Sequence, residues 1–169
     1  ENAVTRENAP RLQARVIECG SNGPLTPAAE RIIDRTDTTV IYDFAANAGG
    51  VVTSYFEWLT NIYERRRYEA EVLRGGRFDP TTISRYVMPD YSQRILDILA
   101  DPSTQRWNDL LRDMMFTTIN EDYAFAAANG ITLKQAGFVN AVMRTLAAAV
   151  ASEAALFEEA RTRLPASTR

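Results

Sequence analysis

Two asparagines and a serine carry most of the chemistry this sequence offers. Asn22 sits in the run Cys19-Gly20-Ser21-Asn22-Gly23-Pro24. Asn47 sits in Asp43-Phe44-Ala45-Ala46-Asn47-Ala48-Gly49-Gly50, and Ser54 follows four residues after Gly50. A side-chain amide offers N–H donors and a carbonyl acceptor together, so two of them can grip a ligand that both donates and accepts. The glycines beside each amide let the backbone turn sharply and leave a ligand room to approach it. Ser54 falls in the first turn of the helix expected after Gly50, near its positive end. The plainer reading of Gly49-Gly50 is a turn and nothing more, and spacing alone leaves both readings open.

The elements that must position these residues follow from periodicity. Thr38 to Asp43 is β-branched and apolar and predicts a strand; Ala14 to Glu18 predicts a shorter one. Between them Thr26 is an N-cap and Pro27 a first helical residue, opening a helix to about Arg35. A β-α-β unit with a parallel pair and a right-handed crossover is the simplest topology. It places Asn22 and Asn47 past the carboxyl ends of neighbouring strands, where open α/β sheets bind ligands. Beyond Gly50, Val51, Tyr55, Trp58, Leu59 and Ile62 recur as one helical face. That helix runs to about Leu73 and stops at Gly75-Gly76.

The remainder reads as helices. Thr5 and Glu7 suit the start of a short helix limited by Pro10. Glu64, Arg65, Arg66, Arg67, Glu69 and Glu71 suit a solvated face of ion pairs, with a phosphate or partner site as the lesser reading. Residues 77–91, with Pro80 and Pro89, read as a loop or broken helix. A short helix covers Arg94 to Ala100. Asp101 as cap and Pro102 then open a helix whose buried face is Trp107, Leu110, Leu111, Met114, Met115 and Ile119. Asn129-Gly130 stops it. Thr132 and Gln135 form a capping box for a last helix with the apolar stripe Phe138, Val139, Val142, Met143, Leu146 and Val150. Pro165 and the tail mark a frayed end.

Composition excludes several classes. The chain has 169 residues, 46% apolar, with a net charge of −3, which suits one globular domain and argues against general nucleic-acid binding. No run is apolar enough for a membrane span. There is no histidine, so no imidazole base and no histidine metal site. Lys134 is the one lysine against 18 arginines. The single cysteine, Cys19, excludes an internal disulfide and suits a reducing, cytoplasmic setting; its simplest role is a buried small apolar residue.

The run Asn47-Ala-Gly-Gly-Val-Val-Thr-Ser-Tyr-Phe-Glu-Trp58 resembles the signature near the carboxyl end of the coenzyme domain of glutamate dehydrogenases. Glu1-Asn-Ala-Val-Thr-Arg-Glu-Asn-Ala9 and Cys19-Gly-Ser-Asn-Gly-Pro-Leu-Thr-Pro27 resemble two further segments of the same Glu/Leu/Phe/Val dehydrogenase family, and so does the closing helix. In the second segment Ser21 stands for the family's alanine and Leu25 for its threonine, so position 25 offers no hydroxyl. The resemblance is strong over 1–62 and about 116–150 and weakest over about 64–115.

The resemblance implies an α/β fold: an incomplete Rossmann-like parallel sheet followed by several long helices, mostly helical overall. Residues 1–169 would form one domain, with 1–47 as its β-α-β part and 48–169 as its helical part. It implies that Asn47 holds the carboxamide of the nicotinamide ring of NAD or NADP, and that Gly20, Ser21 and Asn22 approach the adjoining ribose. It implies that Ser54 binds the distal carboxylate of L-glutamate and that Val51 lines that pocket. The family reaction deaminates L-glutamate to 2-oxoglutarate and ammonia. Its catalytic lysine and aspartate belong to an amino-terminal domain and match nothing here; neither Lys134 nor Asp43 takes those roles. The glycine-rich dinucleotide fingerprint is absent.

The expectation is therefore a segment that begins mid-domain, forms about the last third of a full enzyme and is inactive alone. Its partners would be the rest of the dehydrogenase chain and other copies of itself, because two strands bury too little by themselves and an exposed edge invites pairing. Two alternatives stay open. One is a segment of a leucine, phenylalanine or valine dehydrogenase, against which Tyr55-Phe56-Glu57-Trp58 weighs. The other is a non-catalytic helical interaction module derived from a dehydrogenase.

Overall fold

The computed structural model of the protein describes residues 1–163, so Pro165 and the frayed end expected there lie outside the described residues. Two short strands, β1 (Val16–Glu18) and β2 (Thr39–Ile41), pair in parallel with Val16 opposite Thr39 and Glu18 opposite Ile41. Helix α1 (Pro27–Ile33) crosses between them. Thr26 caps it by accepting the Ala29 N–H, and Pro27 is its first residue, where the missing N–H costs nothing. Both strands are shorter than their apolar runs, because two strands with few neighbours sustain only a short ladder. Ala29 and Ile33 of α1 pack with Cys19, Leu25 and Ala9 into a small core against the sheet. Burial raises the Cys19 thiol pKa, so the group stays neutral and inert. Leu25 belongs to this core, and its backbone bridges Val4. Thr5 opens no regular helix: it forms a turn with Glu7 and Asn8, followed by one 3-10 turn at Ala9–Arg11.

Helix α2 (Asp43–Ala46) starts directly after β2, and α3 (Ala48–Tyr68) follows with only Asn47 between them. The glycine turn expected at Gly49-Gly50 is not there. Both glycines lie in the first turn of α3 and neither takes a positive φ; α2 and Asn47 redirect the chain instead. Helix α3 runs into a π-helical turn at Glu69–Leu73 and ends at Gly75, whose φ is +62°. Only glycine takes that conformation without strain. Two 3-10 segments, Pro80–Tyr86 and Pro89–Tyr91, make up the broken stretch. Helices α4 (Ser92–Ala100) and α5 (Thr104–Asn129) follow. Ser103, not Asp101, caps α5, accepting the Arg106 N–H, so Pro102 lies outside the helix. Gly130, at φ +63°, ends it.

A second and larger core joins Phe56, Leu59 and Tyr63 of α3 to Ile83, to Ile95, Ile98 and Leu99 of α4, and to Leu110 and Met114 of α5. The apolar face of α3 keeps Tyr55, Leu59 and Ile62 of the expected stripe against this core but is turned away from the stripe's two other members. Val51 is 75% exposed and Trp58 is also exposed, while Phe56 and Tyr63 point inward. The arginine run behaves as a solvated face: Arg65 and Arg66 pair with Glu69, and Arg67 with Glu64.

Helix α6 (Leu133–Arg163) opens with the capping box: Thr132 N–H donates to Gln135 Oε1 and Gln135 N–H to Thr132 Oγ1. Its first turns pack on α5 and β2, and Lys134 pairs with Glu30 of α1. The stripe from Phe138 through Val150 remains exposed, with Leu146 at 55%. The spacing correctly marks an apolar face; among the described residues nothing covers it.

Candidate functional site

Of the residues singled out from sequence, Asn22 and Asn47 meet on a shelf past the carboxyl ends of β1 and β2, while Val51 and Ser54 lie further along on α3. Gly20, Ser21 and Asn22 form an exposed loop after β1. Asn47, at the joint of α2 and α3, donates from Nδ2 to Asn22 Oδ1 at 2.5 Å. Among the described residues Asn22 Nδ2 and Asn47 Oδ1 have no hydrogen-bond partner. The pair therefore presents a free donor and a free acceptor beside each other, the complement of a primary carboxamide. Gly20 has open space where a Cβ would stand, so a ligand can reach the backbone there.

Ser54 is exposed on α3, its Oγ donating to Gly50 O at 3.1 Å. Gly50 also has nothing near the position of a Cβ. Val51 points into solvent from the same turn. Because α3 already begins at Ala48, Ser54 lies in its second turn and not in the first as expected; the first two turns are open there, with a hydroxyl and one apolar side chain exposed. The site is a shelf, not a cavity. A cavity of about 600 Å³ does exist, between α1, β2 and the α5–α6 junction. Glu30, Asp34, Thr38, Tyr123, Lys134 and Phe138 are among its lining residues, and none of the six candidate residues is.

Two groups that shape the shelf carry no signal recognisable in the sequence alone. The first is Asp43. Its Oδ2 accepts the Gly23 N–H at 2.8 Å and its Oδ1 the Phe44 N–H at 3.0 Å. The Gly23 hydrogen bond, opposed by partial desolvation and aided by Phe44 and the Lys134 charge, holds this carboxyl below the usual aspartate range. A lowered folded value means its contribution is present above the ordinary pKa of about 3.9 and lost as pH falls through the lower folded one. The Gly23 amide resonance is therefore expected to shift on acidification below about pH 4, and Asp43→Asn to remove that shift. A Gly23 signal indifferent to acid in the wild type would contradict this.

The second is a buried knot behind the shelf. Tyr42, at the end of β2, donates its hydroxyl to Asp122 Oδ2, and Asn140 Nδ2 donates to Asp122 Oδ1 at 2.6 Å. Burial and the Asp122 contact push the Tyr42 phenol pKa far up, so it remains a donor at any working pH. Strand, α5 and α6 meet in these three side chains.

Residues 1–94, more than half of the chain, match the model of the Glutamate/Leucine/Phenylalanine/Valine dehydrogenase family. The chain belongs to that family. It is 49% identical over 73 residues to glutamate dehydrogenase B of Halobacterium salinarum, covering 43% of this chain and 17% of that protein. It is 51% identical over 61 residues to the NADP-specific glutamate dehydrogenase of Saccharolobus shibatae, covering 36% and 14%. The NAD-specific glutamate dehydrogenase A of Halobacterium salinarum is 48% identical over 64 residues, covering 38% and 15%. The matched stretch thus spans under a fifth of these relatives' length. No helix among the described residues is long and apolar enough to cross a membrane.

Proposed function

We propose that this chain is the carboxyl-terminal coenzyme-domain segment of an NAD(P)-dependent glutamate dehydrogenase. Such an enzyme converts L-glutamate to 2-oxoglutarate and ammonia. The observation that carries the reading is the Asn22–Asn47 pair, with its free donor and acceptor at adjoining strand tips. When bound, the nicotinamide coenzyme supplies the redox chemistry; the protein's part is to orient its ring. Asn47 would hold the ring carboxamide, and Gly20, Ser21 and Asn22 would meet the adjoining ribose. Ser54 would bind the distal carboxylate of glutamate, releasing the carbonyl of Gly50, and Val51 would line that pocket. The relatives, named as NAD-specific and NADP-specific enzymes, support either coenzyme.

The stripe on α6 and the edge of β1, where Val16 is exposed, are apolar and uncovered among the described residues. These features support association with the rest of a dehydrogenase chain and with further copies. The reading takes residues 1–169 as one domain and places it in the reducing cytoplasm, where a single buried thiol is at home.

Two measurements test the reading. Reduced nicotinamide mononucleotide, which carries only the ring and its ribose, is expected to shift the amide signals of residues 20–23 and the side-chain amide of Asn47. Asn47→Ala should weaken that binding by roughly 10-fold, the loss of one well-placed hydrogen-bonding group. The purified chain is expected to turn over no glutamate with either coenzyme, because the lysine and aspartate that carry proton transfer in the family have no match in it. A mononucleotide that leaves residues 20–23 and 47 untouched, or robust turnover by the chain, overturns the proposal.

A further inference from the structure

We propose that Asp43 is a positioning residue that fixes the spacing and rotation of the Asn22–Asn47 pair. The proposal rests on the coenzyme reading for its consequence, though not for its geometry. Asp43 and Asn47 stand four residues apart across the single turn of α2, so their side chains leave the same side. Each reaches a successive residue of the opposite loop: Asp43 takes the backbone N–H of Gly23 at 2.8 Å, and Asn47 takes the side chain of Asn22 at 2.5 Å. Two bonds from one helical turn to two adjacent residues fix both the distance and the rotation of the loop; one bond would fix only distance.

The two bonds are not equal. The amide pair is neutral and open to water, which competes for both partners. The bond from Gly23 ends on a carboxylate and is charge-assisted. Of the two bonds from α2, Asp43 therefore makes the stronger. On its other side the loop is tied to the chain start by Asn2 N–H donating to Gly23 O at 2.7 Å and Val4 N–H to Pro24 O at 2.8 Å, which hold the loop but do not turn Asn22 toward Asn47. Gly23 adopts φ +55°, and a Cβ there would meet nothing closer than Glu1 Cγ at 4.0 Å. The glycine is needed for the left-handed backbone that aims its N–H at Asp43, not for space. Both Asp43 oxygens are engaged by backbone N–H groups, of Gly23 and Phe44, so its effect on a ligand would pass through the loop that carries Asn22.

The test uses the 169-residue chain, isotope-labelled, as wild type, Asp43→Ala and Asp43→Asn. Asparagine keeps an acceptor for Gly23; alanine keeps none. In Asp43→Ala the side-chain amide signals of Asn22 and Asn47 are expected to move to the positions of free, hydrated amides, with signals of the α3–α5 core unchanged. Asp43→Asn is expected to hold them near wild type. Affinity for reduced nicotinamide mononucleotide should fall roughly 5- to 10-fold in Asp43→Ala and be largely restored in Asp43→Asn. Wild-type amide positions in Asp43→Ala would overturn the clamp. Displaced amides with unchanged affinity would overturn its role in binding. Failure of the wild type itself to bind the mononucleotide would sink the coenzyme reading, while the amide signals would still decide whether Asp43 sets the pair.

Discussion

Asp122→Ala is expected to destabilise the fold by about 2–4 kcal/mol, while Asp122→Asn costs less than about 1 kcal/mol. Asp122 is 1% exposed and accepts from two donors, Tyr42 and Asn140. Alanine leaves the buried Tyr42 hydroxyl without a partner and removes a bond from the half-buried Asn140, and an unmet buried group costs about 1–3 kcal/mol. Asparagine can satisfy both, because the Asn140 side-chain amide can turn over and accept where it donated. The Oδ1 of the new side chain would accept the Tyr42 hydroxyl and its Nδ2 would donate to Asn140 Oδ1. Urea denaturation of the two variants checks this. Equal losses would mean that the knot depends on the carboxyl's charge and not on bond count. The same loss should appear as faster hydrogen exchange where β2 meets α6.

The second large effect sets two identical substitutions against each other. Gly137→Ala is expected to destabilise by about 1–3 kcal/mol, the usual cost of overpacking a filled site. Gly50→Ala is expected to stabilise by up to about 1 kcal/mol, as alanine does at an unstrained helical glycine. A Cβ on Gly137 would lie 2.4 Å from the Tyr42 ring and hydroxyl. That ring cannot simply swing away, since Asp122 holds its hydroxyl and Phe44 lies against it at 4.0 Å between centroids. A Cβ on Gly50 meets nothing. Thermal melts of both variants give the comparison. A stabilised Gly137→Ala would mean that the packing of α6 against β2 is looser than described. Gly137 is thus where helix α6 makes room for the Tyr42 ring.

Much of this protein was readable from local chemistry. Thr26 with Pro27, Gly130, and Thr132 with Gln135 mark helix ends because caps satisfy backbone groups within a few residues, so their grammar is written in adjacent positions. The parallel strand pair followed from two apolar runs joined by one helix. Asn22 and Asn47 were visible as candidates because they stand beside glycine-containing stretches past the strands, and Ser54 because it follows Gly50 by one helical turn; resemblance to a family supplied the roles proposed for them.

What needed the tertiary structure is everything set by partners far along the chain. No local rule says that Asp43 meets Gly23 or that Tyr42 meets Asp122, since those contacts span 20 and 80 residues. Spacing found the buried side of α3 only in part: Tyr55, Leu59 and Ile62 of the expected face do pack into the core. Val51 and Trp58 fit a helical stripe, yet α4 and α5 cover the side bearing Phe56 and Tyr63. The stripe on α6 has the right period but no cover among the described residues. Periodicity reports that a face is apolar; burial depends on which other surface arrives, and that is decided by packing of the whole chain.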